Sequence, residues 1–165
     1  MKKSTLAAIA AAASMIGFGA QAAGSANATF DVNLTLSQTC IIADPTLGTS
    51  ISKLGTNIGI SYSAFQTSAG TGSTSFVVRC SEGLPIQSID LDSASVTDGT
   101  TGLAYTLALK TANTGDASTA VGTLTGEIGT AAGTTYYVQA YVPSGQAGTN
   151  TAGTANKTRK VTITY

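Results

Sequence analysis

The residue types that most often carry catalysis are scarce in this chain of 165 residues. It contains no histidine, so Ser–His–Asp and Cys–His catalysis are excluded. The remaining candidates are two cysteines, Cys40 and Cys80, and eight carboxylates. Asp90 and Asp92 stand two apart on a predicted strand and share a polar face, which indicates solvated surface groups and not a pair facing across a glycosidase cleft. We expect no enzymatic activity, no cofactor and no small-molecule substrate.

Patterns that bind metals, phosphates or nucleic acids are also missing. The sequence DLDSASVTDG resembles a calcium loop, but Ala94 stands at the fifth ligand position and Thr101 replaces the closing glutamate. No glycine-rich loop carries a phosphate-binding lysine. Basic and acidic residues balance at 8 each, and only 10% of residues are charged. Without a clustered basic patch we expect no nucleic-acid partner.

The first 22 residues have the three parts of a secretory signal peptide. Lys2 and Lys3 form a basic start, Leu6–Ile16 form an apolar core, and the letters AQA give a small-x-small cleavage pattern. The apolar run is shorter than the ~20 residues that span a bilayer, which disfavours a membrane anchor. We expect cleavage between Ala22 and Ala23 and export of a single domain.

The two cysteines are expected to form a disulfide, because an exported chain meets an oxidising compartment. The alternatives are two free thiols or a metal pair, and a metal would need further ligands. The predicted disulfide closes a loop of about 40 residues, which the chain-entropy model values at roughly 4 kcal/mol.

Beyond the leader, short β-prone runs alternate with Gly, Ser, Thr and Asn turns, which predicts an all-β sandwich or barrel. The predicted strands are Ala28–Leu36, Thr39–Ile42, Ile58–Phe65, Thr74–Cys80, Gln87–Asp92, Leu103–Lys110, Gly122–Ile128, Thr134–Val142 and Arg159–Tyr165.

Two terminal segments alternate strictly between apolar and polar residues, which is the period of a strand with one buried face. In the C-terminal segment the apolar face comprises Val161, Ile163 and Tyr165. In the N-terminal segment it comprises Ala26, Ala28, Phe30, Val32, Leu34 and Leu36. One interpretation is an ordinary first strand of the domain. The other is a strand donated to a neighbouring subunit, whose exposed groove and unpaired sheet edge it would fill.

Three blocks in this order resemble the spore coat protein U domain, the fold of archaic (Csu-type) chaperone–usher pilus subunits. They are ATFDVNLTLSQTC ending at Cys40, SFVVRCSEGLPIQSIDLD around Cys80, and the C-terminal YYVQAYVPSGQAGTNTAGTANKTRKVTITY with its P-x-G-Q turn. The resemblance covers nearly the whole chain after the leader. It implies an incomplete immunoglobulin-like β-sandwich over residues 38–165, completed by a donor strand from residues 23–37 of the next subunit or by a chaperone.

The resemblance further implies a function. The chain would be a pilus subunit that passes through the periplasm with a chaperone, is polymerised head-to-tail at an outer-membrane usher alongside other pilus subunits, and serves adhesion and biofilm formation on the cell surface. Ala26–Leu36 would be the donor, and Val161, Ile163 and Tyr165 would form the groove edge that pairs with the chaperone. The alternatives are a secreted monomeric carbohydrate-binding or adhesive module and a spore-coat-type surface protein.

Overall fold

A computed structural model of the chain describes residues 28–46, 49–54, 57–149 and 153–165. The chain divides into two units, Met1–Thr35 and Leu36–Tyr165, and we call the second unit the body. The predicted leader, its cleavage site at Ala22 and Ala23, and the donor residue Ala26 lie outside the described residues. Within the described ranges every regular element is a strand, which confirms the predicted all-β class. None of these residues forms a helix with the length and apolarity needed to cross a membrane.

The described strands, in chain order, are β1 (Cys40–Ala43), β2 (Gly70–Cys80), β3 (Pro85–Ile86), β4 (Ser88–Leu91), β5 (Ser95–Thr97), β6 (Ala104–Lys110), β7 (Thr123–Leu124), β8 (Glu127–Ile128), β9 (Thr134–Val142) and β10 (Val161–Thr164). They form a five-stranded sheet in the order β1-β2-β9-β6-β5, a three-stranded sheet in the order β10-β4-β7, and the pair β3-β8. All of these strand pairs are antiparallel.

The core is built from alternating residues of the long central strands β2 and β9. Phe76 and Tyr136 are fully buried opposite each other, with ring centroids 5.8 Å apart. Ile89 of the three-stranded sheet is buried in the same cluster, so side chains of both sheets meet in one core. The Tyr136 hydroxyl donates a hydrogen bond to Glu127 at 2.9 Å, and burial raises the pKa of Tyr136 well above its usual value.

Two of the predicted strands are wrong. Ala28–Leu36 and Ile58–Phe65 belong to no strand, and the predicted run Gly122–Ile128 divides into β7 and β8. The short strands β3 and β5 have no counterpart among the predictions. The other predicted strands are confirmed, with ends that differ by up to four residues.

The failure at Ile58–Phe65 has a packing cause. Ile58 and Ile60 are partly buried against the core. A Cβ on Gly72 would lie 2.8 Å from Ile58 Cγ2, and one on Gly70 would lie 2.7 Å from Ile60 Cγ2. The two glycines of β2 therefore leave room for these isoleucines, and the segment packs on the sheet through its side chains without joining a ladder.

The sheets have two distinct ends, which we name by their landmarks. The disulfide end contains Cys40 of β1 and Cys80 of β2, which are paired across the two strands. The Thr130 carbonyl accepts a hydrogen bond from the Cys80 N–H at 3.1 Å. The turn end contains Phe65, whose N–H donates to the Gln146 carbonyl at 2.8 Å beyond the ends of β2 and β9.

Strand β10 runs from the turn end to the disulfide end. Arg159, just before it, donates to the hydroxyl of Tyr105, whose neighbour Ala104 bonds to Gln146. The hydroxyl of Tyr165, just after it, lies 3.4 Å from Thr39 Oγ1.

Candidate strand-acceptor edge

The disulfide predicted between Cys40 and Cys80 is present, with an S–S distance of 2.03 Å. It joins the first residue of β1 to the last residue of β2, and the two strands are also paired in register at this point. The Thr39 carbonyl accepts a hydrogen bond from the Ser81 N–H at 3.0 Å. These contacts fix the place where the N-terminal segment joins the folded body.

Strand β10 is an edge strand, paired with β4 on one side and with no other described strand on the other. The carbonyls of Lys160 and Thr164 point toward β4. They accept hydrogen bonds from the Asp92 N–H at 3.1 Å and from the Gln87 N–H at 2.8 Å, respectively. Because backbone groups alternate in an antiparallel ladder, Thr162 also faces β4. The N–H and C=O groups of Val161 and Ile163 therefore point to the open side.

The same two residues, Val161 and Ile163, are half-buried and pack against the core cluster. Strand β1 is one of the two edge strands of the five-stranded sheet, and its residues Cys40 and Ile42 are also half-buried against that cluster. Each sheet thus has an edge strand with incompletely covered apolar side chains. The outer side of β1 is partly occupied, because the Ile42 carbonyl accepts a hydrogen bond from the Ile51 N–H at 2.9 Å. The unpaired edge of β10 is a template for another strand.

Tyr165, predicted at the same edge, lies just beyond β10 and is 47% exposed. Its hydroxyl is 3.4 Å from Thr39 Oγ1. Hydrogen bonds from Thr39 and from the Cys40 backbone lower the pKa of Tyr165 below its usual value. The last residue of the chain is thereby held against the start of β1 at the disulfide end.

The predicted donor residues within the described range lie in a stretch without secondary structure. Residues 28–39 form no strand and no turn. Four large apolar side chains in this stretch are exposed: Phe30 (86%), Val32 (67%), Leu34 (90%) and Leu36 (84%). Ala28 is exposed as well. The alternating apolar face identified in the sequence is therefore not covered.

The carboxylates considered for chemistry have structural partners. Asp90 accepts hydrogen bonds from Ser88 Oγ at 2.5 Å and Thr123 Oγ1 at 2.7 Å, and these bonds lower the pKa of Asp90. Asp92 lies 3.7 Å from Arg159 in an ion pair. The described residues contain no cluster of three or more His, Cys, Asp or Glu side chains arranged to hold a metal ion.

Sequence reasoning missed two buried polar groups, Asp98 and Gln139, whose burial depends on tertiary contacts. Asp98 is 4% exposed, and its Oδ2 accepts bonds from Thr100 N at 3.0 Å, Thr101 N at 2.6 Å and Thr101 Oγ1 at 2.8 Å. These bonds lower the pKa of Asp98. The dipeptide Asp98-Gly99 is typical of a turn, but it does not predict that the carboxylate is buried.

Gln139 lies on the outer face of β9, beneath the loop that follows β6. Its Nε2 donates to Asn113 Oδ1 at 2.9 Å, while its buried Oε1 has no hydrogen-bond partner among the described residues. It lines a polar cavity of about 230 Å³ with Ser73, Asn113 and Asp116, among others.

Comparison with known proteins adds no relative: no family model, no curated protein and no solved structure matches this chain.

Proposed function

We propose that this chain is a structural subunit of a surface pilus, polymerised by donation of its N-terminal segment to a neighbouring subunit. One observation carries the proposal. The apolar face of residues 30–36 is 67–90% exposed, while the body contains an edge strand with an open backbone and half-buried apolar side chains. The apolar face of residues 30–36 would be buried, and the open edge of β10 paired, if the segment of one subunit bound beside β10 of another.

The energy of such a contact is sufficient for a stable fibre. Covering Phe30, Val32, Leu34 and Leu36 contributes about 1.5–3 kcal/mol for each side chain, or on the order of 6–12 kcal/mol together. Backbone hydrogen bonds to Val161 and Ile163 add direction. Because the contact joins two different surfaces, it is heterologous and propagates without closing.

We place the donor antiparallel to β10, since every described strand pair of the body is antiparallel and this pairing is slightly more stable than the parallel one. The donated strand then completes an immunoglobulin-like sandwich. During export a periplasmic chaperone covers the same edge, and an outer-membrane usher exchanges it for the next subunit. The resemblance to the spore coat protein U domain supports these partners and a location on the cell surface.

The test removes and then restores the donor. We expect a chain lacking residues 23–36 to form no fibres, because the edge of β10 is then left without a donor. Grafting the segment behind Tyr165 through a tight two-residue turn lets it fold back antiparallel to β10. This graft should give a stable monomer that does not polymerise. The matched control carries the same graft with Leu34→Asp. This variant places a charge in the apolar groove, so the graft should no longer stabilise the monomer. Fibres formed by the chain without the donor, or a graft that is no more resistant to denaturant than the ungrafted chain, would refute the proposal.

A second candidate function, a carbohydrate-binding module, is favoured by the cavity at Gln139. Its lining combines amides and hydroxyls with the acidic residue Asp116, and such groups can hydrogen-bond the hydroxyls of a sugar. Titration with monosaccharides, followed by NMR shifts at Gln139 and Ser73, tests this candidate. Binding by a chain that never forms fibres would favour it over the pilus.

A further inference from the structure

Phe65 has a backbone conformation that is costly for its residue type. Its φ is +60°, and it is the one non-glycine residue with positive φ in the described part of the chain. For a bulky side chain this conformation is a genuine outlier, and strain of order 1–3 kcal/mol persists only where neighbouring structure enforces it. The ring gains little in return, because Phe65 is 70% exposed.

Hydrogen bonds at the turn end enforce this conformation. The Phe65 N–H donates to the Gln146 carbonyl, and the Gly145 N–H donates to the Gln66 carbonyl, both at 2.8 Å. Two hydrogen bonds with the Ala104 backbone hold the Gln146 side chain. Gln146 Nε2 donates to the Ala104 carbonyl at 2.8 Å, and Gln146 Oε1 accepts from the Ala104 N–H at 2.7 Å. The P-x-G-Q turn thus acts as a rigid support that presents the Phe65 ring to solvent.

The opposite end of the body also presents an apolar residue. Ile128 of β8 is 56% exposed and pairs with the exposed Pro85 of β3. The neighbouring Gly129 exchanges backbone hydrogen bonds with Leu84 and Gly83, which places this pair at the disulfide end. From residue 37 onward, the large exposed apolar side chains in the described ranges are Phe65, Ile128 and Tyr165, and they lie at the two ends of the body.

The connection between the donor segment and the body is short, and this places the disulfide end of one subunit beside the turn end of another. Only three residues separate Leu36 from Cys40, so these two residues lie at most about 14 Å apart when the chain is extended. A donor antiparallel to β10 enters the acceptor groove at the disulfide end and leaves it at the turn end. The disulfide end of the donating subunit must therefore lie against the turn end of the acceptor.

We propose that Phe65 of each acceptor subunit packs on Ile128 and Pro85 of the subunit that donates its strand to it, forming a second contact between consecutive copies of this chain. The inference rests on the proposed strand donation. The donated strand links the subunits, and the Phe65 contact fixes the angle between them. Burial of the ring on the neighbour offsets the strain that the isolated subunit carries at this residue.

Cross-linking in fibres tests the contact. In a chain carrying both Phe65→Cys and Ile128→Cys, a short bismaleimide should cross-link the two cysteines across each contact between consecutive subunits. Electrophoresis after boiling in denaturant should then show a ladder of covalent oligomers. Each single variant should give no ladder. The positional control pairs Ile128→Cys with Ser73→Cys, an exposed residue of β2 that lies opposite Gln139, away from the ends of β9, and should also give none.

A second variant removes the ring while keeping the backbone. Asn tolerates the left-handed region, so Phe65→Asn should leave the folded monomer intact, and its fibres should keep their resistance to denaturant. The same fibres should bend more, with a shorter persistence length in electron micrographs. Fibres that neither cross-link in the double variant nor bend more in Phe65→Asn would overturn the end contact alone. Absence of fibres from the wild-type chain would overturn the donation, and the end contact with it.

Discussion

Substitution of Leu34 tests whether this side chain stabilises its own domain or a neighbouring subunit. Leu34 is 90% exposed in the isolated chain. Leu34→Ala should therefore change the free energy of unfolding of the monomer by no more than about 0.5 kcal/mol, as for an ordinary surface substitution. In a neighbour's groove the same truncation removes a buried side chain and should cost about 2–3 kcal/mol, toward the lower end for Leu→Ala because an edge groove relaxes more easily than a closed core.

This cost corresponds to about a 30- to 140-fold weaker subunit contact. Denaturant titrations measure both quantities, by circular dichroism for the monomer and by sedimentation for dissociation of the fibre. Asn33→Ala is the matched control, because Asn33 is the preceding residue on the polar face and is equally free of secondary structure. The reasoning is refuted if Leu34→Ala destabilises the monomer by several kcal/mol, or if both variants give fibres as stable as the wild type.

Three further predictions concern the body itself. Reduction of the disulfide should lower the free energy of unfolding by about 4 kcal/mol, because Cys40 and Cys80 are 40 residues apart; urea titration with and without reductant measures it. Gly129→Ala should destabilise the fold by about 1–3 kcal/mol, because the new Cβ would stand 2.4 Å from Cys80 Cβ, whereas Gly99→Ala meets no atom within 4 Å and serves as the control in the same titration. Asp98→Asn should be less stable than the wild type at neutral pH. Because the pKa of Asp98 is lowered in the folded state, the stability it contributes is present above the ordinary aspartate pKa of about 3.9 and lost as pH falls through the folded value. The gap between the two proteins in urea titrations should therefore close in acid.

Each of these predictions has a contradicting result. An unfolding free energy that reduction leaves unchanged would mean that the loop restricts the unfolded chain little. Equal stability of the two glycine variants would mean that the backbone beside Cys80 shifts at little cost. A constant gap between Asp98→Asn and the wild type from neutral pH to pH of about 2 would show that the carboxylate charge does not contribute to stability.

The sequence predicted those features that depend on local pattern. The alternation in Thr74–Cys80 and Thr134–Val142 indicated the two central strands, because residues two apart share a face whatever the rest of the fold does. The disulfide followed from the predicted export. The C-terminal alternation likewise identified β10 and its apolar face at Val161 and Ile163.

What the sequence did not predict depends on contacts between distant residues. Ile58–Phe65 has a strand-like composition, but it packs on the space left by Gly70 and Gly72 instead of pairing. The Gln146 amide bonds to Ala104, 42 residues away, so its support of Phe65 could not be read from the P-x-G-Q turn. Ala28–Leu36 has the period of a strand but no strand to pair with in its own described chain, and periodicity carries no information about which chain supplies the partner.

Amide hydrogen exchange at β10 tests the central proposal most directly, because it measures whether the open edge is filled. Thr162 faces β4, so its N–H should be protected in the monomer and in the fibre alike. The N–H groups of Val161 and Ile163 face the open side, so they should exchange rapidly in the monomer and become as slow as Thr162 in the fibre. If Val161 and Ile163 exchange equally fast in monomer and fibre, no strand pairs with this edge and donation to β10 is wrong.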